Sequence, residues 1–270
     1  REVLERVDGQ PTAVGARQFA EPGVLTQSLC SPWQNDFRDC GCFYWAASRP
    51  DFASIRPPEA RKEAFFRWLL PAVEQENARI RRVRRRLERL HRQQAAGQEL
   101  ALHDRTFLAE MAELYRTVAP EPDPEPALRA LLRRVDTVPP RLALVQAAVE
   151  SGWGTGRFAR EGNNYFGVWT WRHEGIVPAA REGADDHLVA AYPDAAASVR
   201  AYLYTLDVGP AYTELRRIRA QARAAGRPPR ALDLAQGLQG YSERGSDYVA
   251  EIRQMLRANA DLLDTVLEDR

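Results

Sequence analysis

A glutamate at the end of an apolar helix is the residue of this chain best placed for acid–base chemistry. Glu150 directly follows the apolar run 142–149. Pro139 and Pro140 suit the start of a helix, and Gly152 suits its end, so Glu150 is expected in the last turn. The unpaired carbonyls and the negative end of the helix dipole disfavour ionisation there. A carboxyl group kept neutral near working pH is what a general acid needs.

Amides and aromatic rings are concentrated around this glutamate, and they suit the binding of an oligosaccharide. Amides can hydrogen-bond to sugar hydroxyls, and flat rings can stack on the apolar faces of sugars. The predicted substrate-binding residues are Gln146, Trp153, Asn163, Asn164, Tyr165, Phe166 and Trp169. The alternatives are an aromatic core, a simple turn at the two asparagines, and a glutamate that only ends an amphipathic helix in water.

Two sequence segments carry a family resemblance. Gln146–Phe158 and Gly162–Gly167 resemble the core signature of the bacterial glucosaminidases of glycoside hydrolase family 73, more narrowly its Bax-type branch. The similarity extends over about residues 50–262. It implies a mainly α (α+β), lysozyme-like helical domain with a small β-hairpin, preceded by a helical N-terminal region. It also implies cleavage of the β-1,4 bond after N-acetylglucosamine in peptidoglycan, with Glu150 as general acid.

The resemblance implies a second carboxylate on the hairpin that follows the asparagine pair. The candidates are Glu174, Glu182, Asp185 and Asp186, of which Glu182 fits best. A separation from Glu150 of about 5 Å would indicate retention of configuration, and roughly 6.5–9.5 Å would indicate inversion. A third route uses the acetamido group of the substrate as the nucleophile. The sequence leaves these three routes open.

The segment Tyr241–Gly245 is similar to the C-terminal active-site segment of the same family. The resemblance implies that Tyr241 is catalytic and orients the acetamido group or a water molecule. Glu243 is expected in the same wall of the site, as a substrate-binding residue or as an ion pair with Arg244. The alternative for Tyr241 is a buried tyrosine whose hydroxyl group is satisfied by a hydrogen bond.

Composition excludes several other classes of protein. The chain has 270 residues, 44% hydrophobic and 28% charged, with a net charge of +1. This balance argues against nucleic-acid binding, and no apolar run is long enough to span a membrane. No metal and no cofactor are expected, because His173 and His187 lack partners at ligand spacing. The expected partner is the glycan strand of peptidoglycan.

The chain is expected to work in the cell envelope, in the periplasm or after secretion. It begins at Arg1 without an apolar signal segment, so any export signal is expected to have been removed or not included. Muramidase or lytic transglycosylase activity on the same fold remains an alternative. A non-catalytic peptidoglycan-binding module and a scaffold protein acting through its helices and N-terminal arm are others.

The predicted organisation has four regions: an irregular arm (1–49), a helical region that packs on the catalytic domain (50–118), a proline-rich joint (119–126) and the catalytic domain (127–270). Apolar residues at helical spacing predict a long helix over 59–95, which Pro71 should kink or split. The arginine-rich stretch Arg79–Arg92 predicts a solvated helix face. Its functional alternative is weak attraction to anionic polymers or lipids of the envelope.

The N-terminal arm contains all three cysteines of the chain. Cys30, Cys40 and Cys42 lie in a stretch that resembles a segment of tryptophylquinone-dependent amino-acid oxidases. The arm is too short to fold as an oxidase by itself. One disulfide with a free thiol, or a partial metal site, are the alternatives for these cysteines. The role of the arm stays open.

Overall fold

The computed structural model describes residues 48–170, 175–176 and 188–269, which are mainly helical. The helices are α1 (Pro58–Ala95), α2 (Leu102–Leu114), α3 (Glu125–Arg134), α4 (Pro140–Ser151), α5 (Arg157–Gly162), α6 (Ala195–Val208), α7 (Thr213–Ala224), α8 (Ala231–Leu234), α9 (Ser246–Ala258) and α10 (Ala260–Glu268). Two 3-10 helices span Pro210–Tyr212 and Ala235–Tyr241. The expected lysozyme-like, mainly α fold is confirmed. The three cysteines and residues 1–47 of the arm lie outside the described residues.

The first helix is the longest and packs against much of the chain that follows. Pro58 occupies its first turn, and the helix continues without interruption through Pro71, so the predicted split does not occur. Its apolar face is buried against α3, α4, α6 and α10. Burial of that face offsets the backbone hydrogen bond that a proline removes. The buried apolar residues are Phe65, Phe66, Trp68, Leu69, Leu70, Ala72, Val73, Ile80, Leu87 and Leu90.

The predicted helix before Glu150 is present as α4. Pro140 lies in its first turn, and Gly152 ends it in a left-handed conformation with φ 56°. Every residue from Leu142 to Ala148 is buried, so α4 is an interior helix rather than an amphipathic surface helix. The region 125–162 contains three helices, because the chain leaves the helical conformation near Asp136 and again at Gly152.

A small antiparallel sheet follows α5. Its strands are β1 (Trp169–Thr170), β2 (Gly175–Ile176) and β3 (Leu188–Ala190), in the order β1–β3–β2. Val189 lies opposite Trp169 in one pair and opposite Ile176 in the other. The predicted hairpin over this region therefore corresponds to the pairing of β2 with β3, and β1 adds a strand on the other side of β3.

The predicted helical region and the predicted catalytic domain share one apolar core. Helix α3 begins at Glu125, inside the segment predicted as the proline-rich joint. One cluster of buried apolar side chains extends from Phe52 to Val266 and includes residues from both sides of that joint. The division of the chain into domains remains a prediction.

Arginines and aspartates form a largely buried network of ion pairs. The Arg219 side chain is 1% exposed, and its Nη2 lies 2.7 Å from Asp207 Oδ1. Arg219 Nη1 also donates to the backbone carbonyl of Asp136, whose carboxylate pairs with Arg223 at 2.7 Å. The network joins α6, α7 and the segment before α4. Buried charges of this kind need such partners because desolvation is costly.

Candidate active site

Glu150 lies in the last turn of α4, as predicted, with a half-buried side chain. Tyr248 of α9 donates a hydrogen bond from Oη to Glu150 Oε1 at 2.7 Å. The second oxygen, Oε2, lies near Gly167, where a Cβ atom would be 3.4 Å away. Gly167 also has a φ of +64°, a conformation that favours glycine. The carboxyl group thus has one hydrogen-bonded oxygen and one beside an open backbone position.

Burial raises the pKa of the Glu150 carboxyl to about 7. The hydrogen bond from Tyr248 and the charge of Arg244 oppose this increase, and the charge of Glu251 adds to it. Arg244 and Glu251 form an ion pair with each other. A substantial fraction of Glu150 is therefore protonated near neutral pH, which is the requirement for a general acid.

Four side chains form a continuous chain of hydrogen bonds that ends at Glu150. Tyr202 Oη donates to Gln146 Oε1 at 2.6 Å, and Gln146 Nε2 donates to Tyr248 Oη at 3.0 Å. Tyr248 then donates to Glu150. Helices α4, α6 and α9 contribute to this chain, so the position of the acid depends on their packing.

Aromatic rings surround the chain of hydrogen bonds and exclude water from it. Tyr241 stacks on Tyr248 with ring centroids 5.4 Å apart, and Phe166 stacks on Tyr202 at 4.1 Å. Tyr212 packs against Tyr241 at 6.1 Å. These apolar faces account for the desolvation that raises the pKa of Glu150.

Several of the predicted substrate-binding residues have side chains in the interior, which corrects the expectation that these side chains contact sugar. Gln146, Asn164, Tyr165 and Phe166 are each at most 2% exposed. Asn164 Nδ2 donates to the carbonyls of Val168 and Ala190, and its Oδ1 accepts from the Val168 amide. These hydrogen bonds to backbone groups of the loop and of β3 satisfy the buried amide, so Asn164 supports the structure of the site.

Three of the predicted substrate-binding residues have partly exposed side chains. Asn163 has a φ of 48°, and its Nδ2 donates to the carbonyl of Tyr192 at 3.0 Å. Trp153 has a φ of 59° and packs against Phe66 with centroids 5.1 Å apart. Trp169 begins β1 and is half-buried. Left-handed conformations at non-glycine residues store strain and are concentrated at functional sites.

Tyr241 and Glu243 differ in their surroundings. Tyr241 is 2% exposed, and its hydroxyl donates to the carbonyl of Phe166 at 2.7 Å. These surroundings match the alternative interpretation, a buried tyrosine whose hydroxyl group makes a hydrogen bond within the protein. A catalytic role of Tyr241 stays a prediction. Glu243 is exposed. Arg244, its expected partner, pairs with Glu251.

Sequence reasoning missed Tyr248 and Tyr202 as members of the hydrogen-bonded chain that ends at Glu150. Tyr248 lies on α9, one helical turn before Ile252, so its spacing indicated only an apolar helix face. Tyr202 is in the interior of α6 and is fully buried. No local pattern connects these tyrosines to Glu150, because the hydrogen bonds that join them span 56 and 98 residues.

The predicted second carboxylate cannot be compared with Glu150 in position. Glu174, Glu182, Asp185, Asp186, His173 and His187 lie outside the described residues. Among the residues that are described, Glu251 is the carboxylate with an electrostatic effect on Glu150. In the same part of the chain, no three His, Cys, Asp or Glu side chains come together as a metal-binding group. No helix there has the length and apolar character to cross a membrane.

A carboxyl group whose pKa is raised toward neutrality suits the general acid of a glycoside hydrolase. Residues 125–261 match the model of the glucosaminidase family, described as mannosyl-glycoprotein endo-β-N-acetylglucosaminidase. The chain is also 31% identical over 219 residues to protein bax of Escherichia coli (strain K12), which covers 81% of this chain and 77% of that protein. No solved structure matches.

The chain therefore belongs to the glucosaminidase family of glycoside hydrolases. It is an endo-β-N-acetylglucosaminidase that acts on peptidoglycan, which confirms the function and enzyme class predicted from the motif around Glu150.

Proposed function

We propose that Glu150 is the general acid that protonates the bridging oxygen of the β-1,4 bond after N-acetylglucosamine. One observation carries this proposal: a half-buried carboxyl at a helix end whose pKa burial raises to about 7. The bridging oxygen must gain a proton as its bond to the sugar ring breaks. A carboxyl that titrates near working pH both holds that proton and releases it readily.

Glu150 combines two features that support this role. Its Oε1 accepts from Tyr248, and its Oε2 lies near the backbone of Gly167, where no side chain is present. The described residues give it no direct ion pair, because Arg244 is paired with Glu251. A direct arginine partner would hold the carboxyl in its charged form. Its absence leaves the neutral form accessible.

We retain Glu182 as the proposed second carboxylate, with Tyr241 as the group that orients the acetamide or a water molecule. The positive charge that develops on the sugar ring must be met by a carboxylate or by the acetamido group of the substrate. Loss of turnover in Glu182→Gln would support the carboxylate. Full activity in this variant with retained product configuration would support participation of the acetamido group.

Trp153, Asn163 and Trp169 are the proposed contacts to the glycan, because their side chains are partly exposed. Replacing Trp153 by Ala should raise KM more than it lowers kcat, because stacking on a ring contributes to binding. The ring of Trp153 also packs on Phe66, so thermal unfolding should be measured alongside. A fall in kcat with unchanged KM would argue against this assignment.

Exposed arginines on α1 are the proposed contact to anionic polymers or lipids of the envelope, where the enzyme would act outside the cytoplasm. Arg84 and Arg86 are engaged in ion pairs with Glu88 and Asp104. The arginines with exposed side chains are Arg81, Arg82, Arg85, Arg89 and Arg92. Their attraction to phosphate groups should weaken with salt.

The arginine contact is tested by sedimentation with vesicles that contain anionic lipid. Replacing Arg81 and Arg85 by Gln should reduce binding at low salt, and the difference should disappear at high salt. Arg217→Gln is the matched control, because Arg217 is exposed but paired with Glu214. Equal binding by all three proteins would remove this proposal.

Mass spectrometry of digested peptidoglycan tests the reaction itself. Products that end in reducing N-acetylglucosamine support the proposal, whereas a reducing muramic end indicates a muramidase and an anhydro product indicates a lytic transglycosylase. Glu150→Gln should lower turnover by about a hundredfold or more, the scale of general acid catalysis. Binding to peptidoglycan without turnover by the wild-type protein would indicate a non-catalytic module.

A further inference from the structure

The amide of Gln146 connects two buried tyrosines to the acid. Gln146 Oε1 accepts from Tyr202 at 2.6 Å, and Gln146 Nε2 donates to Tyr248 at 3.0 Å. Gln146 itself is 0% exposed. A buried carboxamide at this position is costly unless both ends are bonded, and both ends are bonded to tyrosine hydroxyls.

The chemistry of these groups fixes the direction of the hydrogen bonds. A carboxamide has a carbonyl oxygen that only accepts and an amino group that only donates. Because Tyr202 uses the carbonyl oxygen of Gln146, the amino group points to Tyr248 Oη. The Tyr248 oxygen already accepts, so its single proton is available to Glu150 Oε1 at 2.7 Å.

This direction determines which oxygen of Glu150 carries the acidic proton. Oε1 accepts a hydrogen bond from the Tyr248 hydroxyl, so it cannot donate a proton along the same contact. The proton of neutral Glu150 therefore resides on Oε2, which lies beside Gly167. The glycine leaves room on this side for the atom that is to be protonated.

We propose that Gln146 is a positioning residue for the hydrolysis, which orients the Tyr248 hydroxyl so that Glu150 delivers its proton from Oε2. This role rests on the proposed function of Glu150 as general acid. Gln146 does not contact the substrate, and it acts through Tyr248. A side chain of similar size without an amide would fill the same volume, but it would leave the Tyr248 proton free to turn away from the acid.

Other titratable groups also face Glu150, and they must be separated from Tyr248. They are Tyr202 of α6, Tyr212 and Tyr241 of the two 3-10 helices, Glu251 of α9, and Arg244 before α9. Among the residues that the structure describes, Tyr248 is the group hydrogen-bonded to the carboxyl. Substitution of Gln146 removes a hydrogen bond from Tyr202 and from Tyr248, and of these two tyrosines Tyr248 is the one bonded to Glu150. A change in the pH profile therefore reports on the Tyr248 bond.

The test compares Gln146→Met, Tyr248→Phe and the double variant of the full chain, with kcat/KM on peptidoglycan measured against pH. Activity needs protonated Glu150, so it falls as pH rises through the pKa of this group. Loss of the donor destabilises the carboxylate and raises its pKa. The basic limb should therefore move to higher pH in both single variants, and kcat should fall by about tenfold or more.

The double variant and two further variants complete the test. If Gln146 acts through Tyr248, the double variant shifts the limb no further than Tyr248→Phe alone. Tyr212→Phe is the matched control, because Tyr212 Oη is buried nearby without a hydrogen bond to the rest of the described chain, and its limb should stay in place. If Gln146→Met does not fold, Gln146→Glu replaces it, since a neutral carboxyl also offers one acceptor and one donor. This variant should resemble the wild type at low pH. Its basic limb should move to higher pH, because an ionised carboxylate at position 146 draws the Tyr248 hydrogen bond away from Glu150 and adds a negative charge beside it.

Two results would overturn the role of Gln146. One is a wild-type pH profile in Gln146→Met, or unchanged pH dependence in Gln146→Glu, with only a lower melting temperature. The other is additive shifts in the double variant. Turnover that survives Glu150→Gln would instead overturn the proposed function of Glu150. The two failures are therefore distinguishable.

Discussion

Glu150 and Asp207 are both carboxyl groups whose pKa burial raises, yet their surroundings differ in kind. Asp207 is 2% exposed and lies 2.7 Å from Arg219, which is itself surrounded by protein. Glu150 is half-buried, and its bonded partner is a neutral tyrosine. Desolvation alone thus does not distinguish an acid from a structural carboxylate. The chemical type of the bonded partner and the exposure of the carboxyl to solvent distinguish them.

The charge of the partner acts on the protonation of each carboxyl, although burial raises the pKa of both. An arginine at 2.7 Å stabilises the charged form of Asp207 against the desolvation that opposes it. A tyrosine hydroxyl gives Glu150 a weaker preference for the charged form, so burial determines the outcome. We therefore expect Asp207 to contribute mainly to stability and Glu150 mainly to catalysis.

The largest expected effects come from removing the charge at each position. Glu150→Gln should lower turnover by about a hundredfold or more with little loss of stability. Asp207→Asn should do the reverse, because it leaves Arg219 buried without its closest carboxylate, at a cost of about 3–5 kcal/mol. Turnover per folded molecule and chemical denaturation of both variants check this prediction.

Two results would contradict the expected difference between Glu150 and Asp207. A stable, fully folded Asp207→Asn protein would mean that the Arg219 pair contributes little to stability, as some buried ion pairs do. A large loss of activity in that variant, measured per folded molecule, would mean that the network supports the site as well as the fold.

Local sequence was sufficient to predict Glu150 and insufficient to predict its environment. Prolines before α4 and Gly152 after it mark the helix ends, so the position of Glu150 in the last turn followed from spacing. Helical periodicity also placed Gln146 and Glu150 on one face. It did not indicate that this face is interior at Gln146 and reaches partial exposure only one turn later at Glu150.

Composition did not indicate the interior position of Asn164 for a related reason. Amides suit sugar hydroxyls, but they equally suit the unpaired backbone groups of a tight loop. Asn164 bonds to the backbone of Val168 and Ala190, so it holds α5 and the sheet together. Only the position of β3, distant in sequence, decides between these uses.

The pH dependence of the free energy of unfolding is a second test of the environment of Glu150. Burial raises the pKa of Glu150 from 4.5 to about 7 in the folded protein. The folded state therefore binds more protons than the unfolded state between these values, and stability falls as pH rises through this window. Glu150→Gln removes the effect, so its stability relative to the wild type should increase by ~3 kcal/mol between pH 4 and pH 8.

Urea denaturation at several pH values checks this prediction. Glu214→Gln is a suitable control, because Glu214 is exposed and its hydrogen bond with Arg217 lowers its pKa. Removing a carboxyl with a lowered pKa should produce a change of the opposite sign, and solvent screening should make it small. A difference between Glu150→Gln and the wild type that does not vary with pH would mean that Glu150 titrates as an exposed carboxyl.

The smallest expected effect concerns space around Glu150 Oε2. Gly167 and Gly226 both have positive φ, +64° and +68°, so alanine should cost each of them about 1 kcal/mol of backbone strain. A Cβ at Gly167 would lie 3.4 Å from Glu150 Oε2, whereas one at Gly226 would meet no atom within 4 Å. Both variants should therefore lose similar stability. Gly167→Ala should in addition lower kcat per folded molecule by about tenfold, because its methyl group crowds the proton-bearing oxygen. Equal activities of the two variants would mean that Oε2 does not deliver the proton to the substrate. Glu150 and Asp207 would then differ only in the chemical type of their bonded partners.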